Sequence, residues 1–230
     1  METKNSSIYI VIPAYNEESK IGSVIADLKT SGYHNILIVN DGSKDNTAKI
    51  ANEAGAEVLS HIINRGQGSS LRTGIEYLRE NYKPDVIITF DADGQHQVSD
   101  IPNLIEPILS KKADIALGTR FGEKKSNVSI IKKIVLKIAV IFTNIISNIH
   151  LTDTHNGLRA LGENAIWKIE ISHRGMEHAS DIIDEITKKK LTYIEVPVKI
   201  VYSEYSKMKG QKTSGFIKMG LKLLIKKLTQ

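Results

Sequence analysis

Two aspartates stand directly after an apolar run in the first half of the chain. The run Val86–Phe90 is rich in β-branched and aromatic residues, which favours a buried strand. Asp91 and Asp93 follow it two positions apart, so near a strand end their side chains can lean toward the same ligand. Paired carboxylates suit a hard divalent cation such as Mg²⁺ or Mn²⁺, which completes its coordination with water and substrate phosphates. A polar turn closed by Gly94 is the simpler interpretation of the same residues.

The elements that must position these carboxylates alternate between strand and helix patterns. Apolar runs predict strands over Ile8–Ile12, Ile36–Val39, Ala56–Leu59, Val86–Phe90 and Ile115–Leu117, and helical periodicity predicts helices over Gly68–Arg79 and Ile101–Leu109. This alternation predicts crossover connections and an α/β fold, with a mostly parallel sheet flanked by helices on both faces.

Ligands of such sheets bind beyond the carboxyl ends of the strands. Polar clusters follow four of the predicted strands, at Pro13–Glu18, Asp41–Ser43, Asp91–Gln95 and Gly118–Phe121. Because parallel strands end at the same edge, we expect these four clusters to form one site.

The second half of the chain is less regular. Its patterns predict a helix over Ile130–Ile149, a polar loop over Thr152–Arg159, a helix over Glu177–Lys188, a strand over Tyr193–Tyr202 and an amphipathic C-terminal helix over Phe216–Leu228. Pro197 indicates that the strand lies at a sheet edge. The uncharged part of the first helix is shorter than the roughly 20 residues that span a bilayer.

Charge is distributed unevenly along the chain. The net charge is +5, yet the segment from Lys199 onward carries eight lysines and one glutamate. This basic end predicts an anionic partner, and an aromatic content of only 6% argues against nucleic acid. The Phe216–Leu228 helix could lie on an anionic membrane surface or pack as an ordinary core helix. The polar Met1–Ser7 segment and the lack of cysteines predict no signal peptide and no disulfides, which fits a cytoplasmic protein.

Several motifs together resemble those of the family 2 glycosyltransferases, in particular the branch of the polyprenyl- and dolichyl-phosphate sugar synthases. The motifs are Val11–Glu18, Asn40–Ser43, Asn64–Gly68, Asp91–His96, Gly118–Phe121, Asn156–Arg159 and Glu195–Val198. The resemblance implies the GT-A fold, a Rossmann-like nucleotide-diphospho-sugar transferase fold. It predicts a catalytic domain over residues 1–212 and a basic amphipathic helix over residues 213–230.

The resemblance implies roles for residues at the donor site. Pro13, Tyr15 and Glu17 would line the nucleotide base and ribose. Asp41 would accept a hydrogen bond from a base N–H, although the same carboxylate could cap the next helix. Gly68 would lie near the nucleotide, although a tight helix entry also explains a glycine at this position.

The resemblance also implies a metal and its ligands. Asp91 and Asp93 would contact a Mg²⁺– or Mn²⁺–diphosphate unit, with Asp93 as the direct ligand. The ion would neutralise charge on the departing nucleoside diphosphate. Gln95 would reach the sugar or a phosphate, or serve only the turn.

A further group of residues is implied for catalysis. Arg120 would bind a phosphate or a sugar hydroxyl, with a surface charge as the alternative. Asp153 resembles the family's candidate general base, with helix or turn capping as the alternative. Arg159 would supply a cation to a polyprenyl phosphate, which arrives mostly ionised and needs cations more than a base. Lys209 would lie in a loop that closes over the donor, or in a solvated basic loop.

The sequence therefore predicts a metal-dependent inverting glycosyltransferase, peripheral on the inner face of the cell membrane. It would take sugar from a UDP- or GDP-sugar to polyprenyl phosphate or a lipid-linked saccharide. A non-catalytic membrane- or partner-binding module on the same fold is the main alternative. A sugar-nucleotide nucleotidyltransferase is a weaker one, because Pro13–Glu18 is acidic where those enzymes carry a basic glycine-rich loop.

Overall fold

The computed structural model describes residues 6–121 and 140–201, apart from 142 and 146. Lys209, the Phe216–Leu228 helix, the predicted boundary at residue 212 and the first part of the Ile130–Ile149 helix lie outside the described residues. No helix among the described residues is long and apolar enough to cross a bilayer.

Seven strands form one sheet in the order β3-β2-β1-β4-β6-β5-β7. The strands are β1 (Ile8–Ala14), β2 (Ile36–Asn40), β3 (Glu57–Ser60), β4 (Val86–Thr89), β5 (Ile115–Thr119), β6 (Arg159–Gly162) and β7 (Tyr193–Pro197). Only β6 runs antiparallel to its neighbours, β4 and β5, and every other pairing is parallel. The predicted α/β class with a mostly parallel sheet is confirmed, and so is the edge position of the strand containing Pro197.

Helices cover both faces of the sheet. They are α1 (Ile21–Thr30), α2 (Thr47–Glu53), α3 (Gln67–Asn81), α4 (Ile101–Leu109), α5 (Glu163–Lys168) and α6 (His178–Lys188). Alternate residues of each strand point to opposite faces, so Ile10 and Ile12 join a core with α1 and α4, whereas Val11 joins a second core with α3 and α6. Residues of β2 and β4 are buried throughout, as expected for central strands of a two-sided sheet.

Strand β6 was not predicted. Its four residues include a buried arginine and a glycine, and it contains no β-branched residue, so its pattern is typical of a loop. Its insertion between β4 and β5 places Arg159 opposite Thr89 and Leu117, close to the ends of both strands. The unpredicted strand therefore carries a charged residue into the predicted site.

Candidate active site

The carboxylate of Asp91 is held by side chains from two other segments. It accepts hydrogen bonds from Gln67 Nε2 (3.0 Å) and from His96 Nε2 (2.9 Å). The backbone of Gly157 lies so close that a Cβ atom there would sit 2.5 Å from Oδ2 of Asp91. Burial opposes ionisation of Asp91, but the charge and hydrogen bond of His96, with a contribution from Arg159, outweigh it and lower the pKa. Asp91 is therefore a fixed, ionised carboxylate.

Asp93 differs from Asp91 in its electrostatics. Its carboxylate accepts hydrogen bonds from the backbone N–H of Gln95 (3.0 Å) and from the Gln95 side-chain amide. Burial and the negative charge of Asp91 raise the pKa of Asp93. Gln95 thus contacts Asp93 directly, as a turn role requires.

The two aspartates fit a divalent cation. Repulsion between neighbouring carboxylates is relieved when a cation lies between them and the substrate. Within residues 6–121 and the described part of 140–201, no group of three or more acidic or histidine side chains could enclose an ion. Mg²⁺ commonly binds through one or two protein carboxylates, with water and phosphate oxygens in the other positions.

Arg159 is a buried cation that interacts electrostatically with Asp91 and Asp153. Its side chain is 3% exposed, and burial lowers its pKa to about 10, opposed by the charges of Asp91 and Asp153. It therefore remains charged at neutral pH. Its Nη1 has no hydrogen-bond partner among the described residues, which leaves a donor for a ligand or an ordered water.

Asp153 and Arg120 form a buried ion pair. Arg120 Nε donates to Asp153 Oδ2 at 2.6 Å, and the backbone N–H of Arg120 donates to the same oxygen at 3.1 Å. The side chain of Arg120 is 9% exposed and that of Asp153 is 1% exposed. Glu195 on β7 fixes the loop that contains Asp153. Its carboxylate accepts the backbone N–H groups of Thr152 (2.8 Å) and Asp153 (3.1 Å). The structure thus brings together Arg120, Asp153 and Arg159.

Asp41 is engaged by the loop that precedes α3. It accepts the backbone N–H groups of Arg65 (2.8 Å) and Gly66 (2.7 Å) and contacts His61 Nδ1 (2.8 Å). It does not cap α2, where Asp45 accepts the backbone N–H of Thr47 instead. The described contacts of Asp41 fix the loop that precedes α3. A contact of Asp41 with the nucleotide base stays a prediction.

Gly68 allows two segments of the site to approach each other. A Cβ atom at this position would lie 2.1 Å from the carbonyl oxygen of His173 and 2.8 Å from Cβ of His178. The tight helix entry expected for Gly68 is present, and it packs against the loop that leads into α6. This close approach brings His178 toward Asp91.

The loop after β1 lies against the loop after β2. The backbone N–H of Glu17 donates to Oγ1 of Thr47 at 2.7 Å. Pro13 is half-buried at the end of β1, and the side chain of Tyr15 is 41% exposed, which leaves its ring accessible. Pro13, Tyr15 and Glu17 thus lie at the carboxyl edge where the base and ribose are expected.

Three site residues were not singled out in the sequence. Gln67 and His96 belong to motifs of the resemblance, and adjacency to Asp91 along the strand end could have indicated His96. His178 carries no such signal, because only the packing of α6 against α3 brings it close to Asp91 and Arg159.

Comparison with known proteins agrees with this architecture. The model of glycosyl transferase family 2 matches residues 9–170. The chain belongs to glycosyl transferase family 2. It is therefore an enzyme of the glycosyltransferase class.

Two relatives match this family 2 glycosyltransferase along almost their whole length. An uncharacterized protein of Methanocaldococcus jannaschii is 38% identical, covering 99% of this chain and 95% of its own. The UDP-N-acetylglucosamine–dolichyl-phosphate N-acetylglucosaminyltransferase of Methanococcus voltae is 34% identical, covering 96% of both chains.

A solved structure with the same fold is glucosyl-3-phosphoglycerate synthase from Mycobacterium tuberculosis. It was crystallised with Mn²⁺, UDP and glucosyl-3-phosphoglycerate. The superposition has a TM-score of 0.72 at 17% identity and covers 95% of this glycosyltransferase and 80% of that chain. The similarity establishes the GT-A fold.

The buried histidines predict how the stability of this glycosyltransferase changes with pH. Burial lowers the pKa values of His155 and His178 from 6.5 to about 4, so both are neutral when folded. As pH falls through 6.5, the unfolded chain gains protons that the folded protein does not bind. The free energy of unfolding should therefore fall between pH 6.5 and 4, by on the order of 2–3 kcal/mol per histidine.

Urea denaturation at several pH values measures this slope. His178→Gln should make it shallower, whereas His34→Gln, at an exposed position, should leave it unchanged. An identical slope in wild type and His178→Gln would contradict the assignment.

Proposed function

We propose that the protein is a metal-dependent inverting glycosyltransferase that moves sugar from a UDP- or GDP-sugar to polyprenyl phosphate in cell-surface glycan synthesis. The observation that carries the proposal is the Asp91–Asp93 pair beside the buried cation of Arg159. The Methanococcus voltae relative supports it, because its name specifies a nucleotide-sugar donor and a dolichyl-phosphate acceptor.

The donor diphosphate would bind at the two aspartates. A bound Mg²⁺ or Mn²⁺ supplies a Lewis acid that offsets negative charge on the departing nucleoside diphosphate. Gln67 and His96 hold Asp91 in place for this contact. Nη1 of Arg159 is a further donor for a phosphate oxygen.

The ion pair of Asp153 with Arg120 favours a phosphate acceptor over a hydroxyl acceptor. A general base must accept a proton from the acceptor, but Oδ2 of Asp153 already accepts two hydrogen bonds from Arg120. The other oxygen, Oδ1, accepts the backbone N–H of His155 at 3.2 Å. A phosphate monoester has a second pKa of about 6 and is mostly a dianion at neutral pH, so it needs no base. We therefore assign Asp153 to the positioning of Arg120, and a lipid-linked saccharide becomes the second candidate acceptor.

The transfer step is then a direct displacement. An oxygen of the acceptor phosphate forms a bond to the anomeric carbon while the bond from that carbon to the nucleoside diphosphate breaks. The electron pair leaves with the diphosphate, and attack from the opposite face inverts the anomeric centre. Positive charge develops on the sugar ring in the transition state, as in glycoside hydrolysis.

A lipid-linked acceptor places the reaction at a membrane surface. We propose that the protein is peripheral on the inner face of the cell membrane, where nucleotide sugars and lipid carriers meet. Lys209 and the helix predicted over Phe216–Leu228 would contribute contacts to anionic headgroups or phosphates there.

Product analysis tests this proposal directly. The full chain is incubated with Mn²⁺, dolichyl or undecaprenyl phosphate in detergent, and UDP- or GDP-sugars, starting with UDP-N-acetylglucosamine. Mass spectrometry should detect a polyprenyl-phosphate sugar, and EDTA should suppress it. Transfer only to lipid-linked saccharides would contradict the phosphate acceptor, and no transfer from any donor would contradict the catalytic proposal.

Replacing His96 should weaken the donor site without removing it. His96→Ala removes the hydrogen bond that orients Asp91, and the loss of such a supporting group typically costs about 10–100-fold in metal affinity or activity. The titration of Mn²⁺ against transfer rate measures the effect. His34→Ala is the matched control, and an unchanged Mn²⁺ dependence in His96→Ala would refute the role.

A further inference from the structure

Two isoleucines lie fully or mostly in solvent at the carboxyl edge of the sheet. Ile62 is 100% exposed and Ile63 is 68% exposed, in the loop that follows β3. We call these two residues the apolar tip. Exposed isoleucines scattered singly are common, but two adjacent ones at a loop end form a small protruding apolar surface.

The loop that carries the apolar tip is held by the segment that follows β2. Asp41 accepts the backbone N–H groups of Arg65 and Gly66, immediately after the tip. Gly42 contacts the tip itself, because a Cβ atom there would lie 2.6 Å from the carbonyl carbon of Ile63. These contacts fix the backbone of the loop on which the two exposed isoleucines lie.

Basic side chains accompany the apolar tip. Arg65 is exposed two residues after Ile63. Arg174 is also exposed, and its backbone lies beside the end of the same loop, because a Cβ atom at Gly66 would sit 2.4 Å from the carbonyl oxygen of Arg174. Protruding isoleucines flanked by arginines match the chemistry of a bilayer surface with anionic headgroups.

The apolar tip is also placed correctly for a lipid substrate. Gln67, two residues after Arg65, donates to Asp91, so the loop leads directly into the candidate donor site. A membrane that contacts the tip would therefore lie at the edge of the sheet where sugar is transferred.

We propose that the apolar tip inserts into the headgroup region of an anionic bilayer and orients the catalytic edge toward it. The orientation rests on the proposed lipid-phosphate acceptor, whereas bilayer binding by the tip does not require catalysis. Ile62 and Ile63 enter the interface, and Arg65 and Arg174 contact anionic headgroups.

Vesicle binding of the full chain tests the proposal without donor or acceptor. Wild type should cosediment with phosphatidylcholine vesicles that contain phosphatidylglycerol, and Ile62→Ser/Ile63→Ser should bind them at least about tenfold more weakly. The basic C-terminal segment is present in both proteins and does not account for a difference between them. Arg65→Gln/Arg174→Gln should reduce the preference for phosphatidylglycerol over pure phosphatidylcholine.

Leu109→Ser provides a matched control, because Leu109 is 45% exposed at the end of α4, away from the catalytic edge. It should bind vesicles like wild type. Unchanged binding by Ile62→Ser/Ile63→Ser, or an equal loss with Leu109→Ser, would overturn the proposal. So would light scattering that shows a wild-type dimer dissociated by the tip substitutions, since the tip would then contact a second copy.

The two proposals fail in distinguishable ways. If wild type transfers no sugar to polyprenyl phosphate in detergent but binds vesicles through the tip, the proposed acceptor is wrong and the tip assignment stands. If transfer occurs in detergent and the tip substitutions leave vesicle binding unchanged, the tip assignment is wrong and the acceptor stands.

Discussion

Asp93→Asn should reduce sugar transfer by on the order of 10³-fold or more while leaving the protein at least as stable as wild type. Asparagine keeps an oxygen that can accept the backbone N–H of Gln95. It removes the negative charge of Asp93, whose pKa is raised by burial and by the neighbouring charge of Asp91. The substitution thus removes the proposed metal ligand and, with it, part of the repulsion between the two carboxylates.

Transfer rate and thermal unfolding together measure this effect. Glu53→Gln, an exposed position at the end of α2, is the control and should retain wild-type activity and stability. Near-normal transfer by Asp93→Asn would rule out the metal assignment. A large loss of stability in Asp93→Asn would instead indicate that Asp93 is structural.

Asp153→Asn should have the largest effect on stability. Removing one partner of a buried ion pair leaves the guanidinium of Arg120 without its carboxylate, which typically costs about 3–5 kcal/mol. Arg159 also loses part of the negative charge that sustains its own ionisation. We therefore expect lower stability and a strong loss of transfer, because the guanidinium groups of Arg120 and Arg159 would no longer be held in position.

A double-mutant cycle with Arg120→Met separates positioning from base catalysis. If Asp153 acts by holding Arg120, Asp153→Asn/Arg120→Met should be more stable than the sum of the single substitutions predicts. Its transfer rate to polyprenyl phosphate should be no lower than that of Arg120→Met alone. A further large loss in the double variant, dependent on pH, would show that Asp153 is itself the base.

The sequence predicts the parts of the fold that depend on local periodicity. Ile36–Val39 and Val86–Phe90 are apolar runs of strand length, and the structure has β2 and β4 within one residue of those bounds. Strand β6 escapes prediction because its role is set by its partners. Arg159 and Gly162 occupy a central strand only because β4 and β5 flank it on both sides.

In the candidate site, too, features set by the local sequence are predictable and contacts between remote segments are not. Asp91 and Asp93 are predictable because they follow a strand directly, and the edge of a parallel sheet determines where they lie. The pairing of Asp153 with Arg120, and the approach of His178 to Asp91, join segments that are remote in sequence. Two consecutive isoleucines favour burial by composition, so the exposure of Ile62 and Ile63 is visible only in the structure.

Calorimetric titration of UDP and GDP, each with and without Mn²⁺, into wild type and Asp93→Asn tests the central claim most directly. We predict that one nucleotide binds wild type tightly only when Mn²⁺ is present, and that Asp93→Asn loses this metal-dependent binding. Equal binding with and without Mn²⁺, unchanged in Asp93→Asn, would contradict a metal–diphosphate site at the two aspartates.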